Sequence, residues 1–363
     1  MNPVAEEIIK LNNSLNYSHE SLAKDAVIKE KHSDFVVNEE LAYEPLGVGE
    51  HLYIRFRRSD WNTERIASKV AQILSLDKHD YGYAGMKDRH AIVEQTLSFK
   101  LAEDKFSKEE IIQRLSNHAP ELTILSMDRH NNKLKRGHIN RNTFTIIVRH
   151  LDTTIEALQE RAKIIQENGF ANYYGPQRFG IQYDNIRVGF EMLKGFKRIK
   201  AAHKRTLYSS SIQSALFNIL LTRRIEMKQS LMLGDILKKN DTGGLFINDD
   251  LIVNQKRFDA GELTVCGPMF GYKMMPTEDE SHQVEMALLE EFHLGINKFK
   301  RMKVSGTRRP FFTYPEDINI QQVDETSYQF SFSLAKGTYA TTMLRHFFEF
   351  TSHTMRNENH AHS

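Results

Sequence analysis

The chain has 363 residues, of which 40% are hydrophobic and 26% charged, with a formal net charge of +2. This is enough material for a sizeable core and more than one domain, with the composition of a globular, soluble protein. There is no run of eighteen apolar residues, no basic start with an apolar block in MNPVAEEIIKLNN, and one cysteine, Cys266. A membrane span, a secretory signal, an internal disulfide and a multi-cysteine zinc site are therefore not expected, and a cytoplasmic location is.

The first segments read as strands. HSDFVVNEEL and HLYIRF fit a sheet, and in the second Leu52, Ile54 and Phe56 alternate with Tyr53, Arg55 and Arg57. DWNTERIASKVAQILSL then places Ile66, Val70, Ile73 and Leu74 on one helical face, with Asp60, Asn62 and Thr63 as candidate N-caps. The stretch GYAGMKDRHAIVEQTLSF ends in a strand whose Val93, Leu97, Phe99 and Leu101 share one parity, opposite Thr96, Ser98 and Lys100. Asp88 thus falls in a loop just before a strand, between Lys87 and Arg89.

FTIIVRHL gives another strand, with Phe144, Ile146 and Val148 on one side. TTIEALQERAKIIQENGF gives a helix stopped by Gly169. The character then changes. ANYYGPQRFGIQYDN is aromatic and rich in glycine, residues 185–230 read mostly helical, and 235–280 read as short, turn-rich and irregular. HQVEMALLEEFHL is helical again. In SYQFSFSLAKGTYATTMLRHFFEFT a strand presents Tyr328, Phe330, Phe332 and Leu334, breaks at Gly337, and leads into a helix from about Thr341. The tail RNENHAHS reads as frayed. Strands with helices, a mainly helical middle, then strand and helix imply an α+β domain interrupted by a second domain.

Charge is unevenly placed. LKGFKRIKAAHKR and KFKRMKVSGTRR each carry six cations and no acid, and NKLKRGHINR carries Lys133, Lys135, Arg136 and Arg141. Three such clusters in a nearly neutral chain favour a polyanion-binding surface over solvated helix faces.

The common cofactor and metal motifs are absent: no phosphate loop, dinucleotide fingerprint, H-E-x-x-H or G-x-S-x-G occurs. His346, His353, His360 and His362 gather near the tail but read as adventitious. Cys266, in TVCGPMFGY, reads as a buried inert thiol. A carboxylate held ionised by neighbouring cations can serve as nucleophile or base. Gly82 and Gly85 would allow backbone to approach a bulky ligand. On the residues alone, Asp88 is either that group or a charged surface turn.

Several segments together resemble the TruD-type tRNA pseudouridine synthases. GMKDRHA with Glu94 and Gln95 is similar to that family's catalytic motif. DFVVNE with GVGEH, RNTF, NYYGPQRFG and SLAKGTYATTMLRHF match its other signatures in order, from about Lys29 to Phe350. The resemblance implies an α+β fold with a mixed, largely antiparallel sheet and flanking helices (residues 1–168 and 308–363), interrupted by a mainly helical α+β RNA-contacting insert (residues 169–307). It implies isomerisation of uridine to pseudouridine, at position 13 of the tRNA D-arm, with no cofactor and no metal.

Asp88 would be the catalytic group. Phe35 and Tyr339 would line the base pocket, Asn142 would hydrogen-bond the uridine edge or sugar, Phe144 would pack beside it, and Lys29 would orient Asp88. Tyr339 departs from the phenylalanine expected there. The partner would be tRNA, bound by a monomer without an obligate protein partner. The competing reading is a non-catalytic RNA-binding protein on the same scaffold.

Overall fold

The structure is a computed structural model that describes residues 2–15, 17, 19–87, 89–227 and 231–351. The chain opens with α1 (Pro3–Asn13), β1 (Ala23–Ala26), β2 (Phe35–Leu41), β3 (His51–Arg58), α2 (Thr63–Ile73), β4 (Tyr81–Tyr83), β5 (Ile92–Lys100), α3 (Lys108–His118), β6 (Thr123–His130), β7 (Ile139–Val148) and α4 (Ile155–Asn168). The middle holds β8 (Phe170–Ala171), α5 (Asp184–Lys194), α6 (Ala202–Glu226), β9 (Ile236–Lys239), β10 (Leu245–Ile247), α7 (Leu251–Asp259), β11 (Leu263–Met269), α8 (Asp279–Glu291), α9 (Ile296–Arg301) and β12 (Thr307–Pro310). The chain closes with β13 (Phe312–Thr313), β14 (Glu316–Asp324), β15 (Ser327–Ala335), α10 (Ala340–Leu344) and β16 (Phe348–Phe350).

The main sheet has eight strands in the order β14-β15-β7-β2-β5-β3-β6, with β4 also on β5. Only β2 and β5 pair in parallel, so the sheet is mixed and largely antiparallel, as expected. The register explains its core. Phe35 faces Ile146, Val37 faces both Phe144 and Val93, and Phe144 faces Phe332, so the apolar parities of four strands fall on one face. Helix α4 and the α10 turn cover one part of that face. Helices α2 and α3 cover the part carrying Leu52, Ile54, Phe56, Leu97 and Phe99. The expected helix signals hold: Asn62 caps α2 by accepting from the Arg65 N–H at 2.8 Å, and Gly169 ends α4 at φ +71°.

Two local readings change. Thr96 and Ser98, assigned to the polar side of β5, are buried. The 131–138 segment folds over them, and Ser98 Oγ accepts from the Leu134 N–H at 2.9 Å. The helix expected from Thr341 ends at Leu344. Phe347 and Phe348 pack edge-on to Phe330, and β16 pairs in parallel with β1, so tertiary burial of an aromatic run overrides helical continuation.

A second core lies in the middle of the chain. Helix α6 is buried nearly all round from Ser209 to Leu221, as a central helix must be. The stretch 235–280, which reads as irregular, supplies β9, β10 and β11 of an antiparallel four-stranded sheet in the order β10-β9-β11-β12. These strands are short and separated by turns, so alternation is too brief to register. Helix α1 joins this same core: Ala5, Ile8 and Ile9 pack into it, and Asn12 donates to the Ala215 carbonyl and accepts from Asn218 Nδ2.

Candidate active site

Strand β5 is shared along one edge. It pairs with β2 over Ile92–Glu94 and with β4 over Leu97–Phe99. Between these stretches the apolar face of the sheet turns polar. Glu39 lies directly across from Asn142, and Gln95 lies two residues beyond the Val37–Val93 pair on the same parity. The loop from β4 to β5 is tied down over this polar spot.

Lys87 makes the central tie. Its Nζ lies 2.7 Å from Glu39 Oε2 and 2.5 Å from Asn142 Oδ1, in a setting where Glu39 is fully buried and the Lys87 side chain is 7% exposed. Gln95 Nε2 donates to the Gly85 carbonyl at 2.7 Å and to Glu39 Oε2 at 3.3 Å. Thr63, first residue of α2, donates to Gln95 Oε1 at 3.0 Å and accepts from the Lys87 N–H at 3.1 Å. On the far side of the loop, Asp60 donates its N–H to the Arg89 carbonyl at 3.1 Å, and Arg89 Nε donates to the Asp60 carbonyl at 3.2 Å. Asp88 itself lies outside the described residues. Both of its chain neighbours are held.

Gly82 has a different reason from the one expected. A Cβ at Gly82 would sit 2.2 Å from the Leu134 carbonyl oxygen, and one at Gly85 would sit 2.8 Å from Ile139 Cδ1. Gly82 is thus required by the backbone of the 131–139 segment, whereas Gly85 meets only the tip of a flexible side chain and lies on the wall of the adjoining cavity.

A cavity of about 490 Å³ opens beside the loop. Phe35, Phe144, Asn142 and Tyr339 all line it, together with Lys87. The Phe35 and Phe144 rings meet edge to face at 6.2 Å, and Phe144 stacks on Phe332 at 5.5 Å, so two rings present edges to the cavity while anchored in the core. Lys29 is not on the cavity wall; its Nζ lies 4.3 Å over the Phe35 ring. Lys29 adopts φ +60°, a strained conformation for a lysine.

Gln177 and Arg178 reach the same cavity from the second core. Gln177 Nε2 approaches Thr341 Oγ1 at 3.5 Å, and Arg178 Nε bonds Ser214 Oγ at 3.3 Å. The Tyr339 ring meets Tyr174 edge-on at 5.8 Å. Arg309 covers the other side of Tyr174 at 4.1 Å and donates to the Gly337 carbonyl at 2.8 Å. Lys87, Gln177 and Arg178 are therefore cavity residues outside the site set expected from sequence, where Gln177 and Arg178 read as bridging the two domains. The Gln-Arg-Phe-Gly stretch was a signal for two of them. For Lys87, adjacency to Asp88 masked a separate partner.

The basic clusters divide. Arg308 is buried against Glu285 and the Met275 carbonyl, and Arg309 is spent on Asn172 and Gly337. Arg141 bridges Glu40 and Glu316. These are structural cations, not free phosphate contacts. Helices α5 and α9 are neighbours, and Lys194 Nζ lies 3.3 Å from the His293 carbonyl, which brings the two longer clusters close together in the fold.

Cys266 is buried, and burial pushes its thiol up to about 12, which fits an inert side chain. His346 is buried among Tyr17, His19 and Phe170; His353, His360 and His362 lie outside the described residues. Among the described residues one group could hold a cation: His32, Asp60 and His90 each offer a ligand atom within 4.8 Å of the others, at the surface.

Comparison with known proteins agrees with this architecture. The profile of the tRNA pseudouridine synthase D (TruD) family matches residues 13–205 and 199–347. A relative named tRNA pseudouridine synthase D from Aeromonas hydrophila is 30% identical over 354 residues, covering 96% of this chain and 98% of that protein. A crystal structure of a Methanosarcina mazei protein carrying the TruD name has the same fold, with a TM-score of 0.69 at 22% identity over 94% of this chain and 97% of that one. The chain belongs to the TruD family of tRNA pseudouridine synthases and is thus an isomerase. Among the described residues no helix is long and apolar enough to cross a membrane.

Proposed function

We propose that the chain converts a uridine of tRNA to pseudouridine at position 13 of the D-arm, with Asp88 as the catalytic group. The observation that carries the reading is the convergence of Phe35, Asn142, Phe144 and Tyr339 on one cavity, with Lys87 of the GMKDRH stretch on its wall. A uridine must leave its stack to enter such a cavity. Aromatic rings with a few polar groups suit an extruded base. In the reaction the C1′–N1 bond breaks, the uracil turns in place, a C1′–C5 bond forms, the C5 hydrogen leaves as a proton and N1 gains one. Asp88 acts on the sugar as nucleophile or base, and Asn142 holds the uridine edge or sugar. Phe35 and Tyr339 confine the base, Phe144 backs it, and Lys29 fixes the position of Phe35 and orients Asp88.

In this reading residues 1–168, apart from α1, which packs into the second core, and 308–363 form the catalytic unit, and 169–307 close over the tRNA with Gln177 and Arg178 at the cavity. The enzyme works in the cytoplasm as a monomer.

The test is pseudouridine mapping on unmodified tRNA transcripts with wild type and Asp88→Asn. Wild type should modify one D-arm uridine and the variant none, while both bind tRNA. Normal turnover by Asp88→Asn ends the assignment. Binding by both proteins with no product from either favours the binding-only alternative.

A further inference from the structure

We propose that Phe196 is a stacking platform for an unpaired base of bound tRNA, at a second site outside the cavity; this rests on the tRNA reading above. Helix α5 ends at Gly195, which sits at φ +84°, and the N–H groups of Phe196 and Lys197 both donate to the Glu191 carbonyl, at 2.8 and 3.3 Å. At helix ends of this kind the residue after the glycine commonly folds an apolar side chain back onto the helix. Phe196 does not. It is 68% exposed, more than any other exposed aromatic among the described residues. The backbone beneath it is hydrogen-bonded, so the turn holds the ring in solvent on a fixed base.

The surroundings define the ligand. No acid occurs from Met192 to Arg205 or from Phe292 to Arg309. Helix α9 lies alongside α5, and Arg198, Lys200, Lys300, Arg301 and Lys303 are all exposed. The nearby carboxylate of Glu191 is already paired with Lys197 at 3.8 Å. A protein partner would be met by a contiguous apolar patch; here a single ring stands among cations. That combination binds single-stranded RNA: cations track phosphates while a base stacks on the ring, with no sequence requirement.

The test measures affinity in the Asp88→Asn background, so that binding is read without turnover. Phe196→Ala should weaken binding of an unmodified tRNA transcript about ten-fold and leave the salt dependence unchanged. Lys300→Ala should reduce the salt slope by about one. A fully paired RNA duplex should bind Phe196→Ala and its parent alike. Phe196→Trp should keep tRNA affinity and change its emission on binding.

Wild-type tRNA affinity in Phe196→Ala, an equal loss on the duplex, or a silent Phe196→Trp overturns the proposal. So does a loss confined to anionic lipid vesicles. The outcome is separable from the catalytic reading. An emission change with no pseudouridine from the wild-type protein upholds the platform alone, and wild-type pseudouridine formation with unaltered Phe196→Ala affinity upholds the reaction alone.

Discussion

Lys87 Nζ lies 2.5 Å from Asn142 Oδ1 while also pairing with buried Glu39 at 2.7 Å. One ammonium therefore joins the loop that carries Asp88 to the strand that carries a proposed substrate contact. Glu39 Oε1 is buried without a hydrogen-bond partner among the described residues, so the carboxylate depends on Lys87 and Gln95. Lys87→Met leaves that carboxylate buried and unpaired. The expected cost is about 3 kcal/mol in denaturant unfolding, because breaking one side of a buried pair leaves an uncompensated charge. Glu39→Gln with Lys87→Met should recover most of that stability. It should not recover pseudouridine formation, since Asn142 is no longer held. Full activity in the double variant would show that the tie serves only folding.

Tyr339 tests the aromatic wall. Its ring meets Tyr174 edge-on, and the residue lines the cavity. Tyr339→Phe should retain turnover within about three-fold, and Tyr339→Ala should lower kcat/KM about ten-fold, the scale of one lost base–aromatic stack. A larger loss in Tyr339→Phe than in Tyr339→Ala would assign the hydroxyl a direct part.

The cations of one sequence cluster should separate by experiment. Arg308→Met removes the buried partner of Glu285 and should destabilise the fold by about 3 kcal/mol. Lys303→Ala removes an exposed charge, so its melting temperature should stay put while the salt slope of tRNA binding falls by about one. The reverse pattern would place the RNA contact at Arg308.

This division shows where sequence reading stops. Phe144, Ile146 and Val148 declare their face because alternation is local, and Asn62 declares a cap because the N–H it accepts from lies three residues away. The convergence of Phe35, Asn142 and Tyr339 was legible through motifs, since period and propensity alone would leave each in the core. The Lys87–Glu39 pair joins residues far apart in the chain, and nothing in either segment announces the other. Arg308 and Lys303 look alike in a run of cations; Glu285 of α8 and the Met275 carbonyl make Arg308 structural. Gly82 reads toward a ligand in sequence because the 131–139 segment it accommodates is distant in the chain. Local signals carry burial and caps, whereas long-range partners emerge only in the fold.

Two buried titrating groups give stability a stepped pH dependence. His346 is held down to about 4, first by burial and then by neighbouring His19, with Arg161 also opposing its charge. Tyr17, His19 and Phe170 pack on its ring, and Arg161 bonds its backbone carbonyl at 2.7 Å. A histidine whose folded value lies below its unfolded value near 6.5 contributes stability that is complete above 6.5. That stability is lost as pH falls towards about 4, amounting to about 3 kcal/mol.

Asp34 acts lower. Burial opposes its ionisation, but a two-pronged bond from Arg149 and the Lys31 N–H hold its carboxyl below the usual range. Its contribution is present above the ordinary aspartate value near 4 and lost as pH falls through the depressed one. Denaturant midpoints from pH 7.5 to 3 should therefore decline in two stages. His346→Phe should flatten the upper stage and Asp34→Asn the lower. A His346→Phe profile parallel to wild type between pH 6.5 and 4.5 would show that the folded imidazole takes up its proton over the same range as in the unfolded chain.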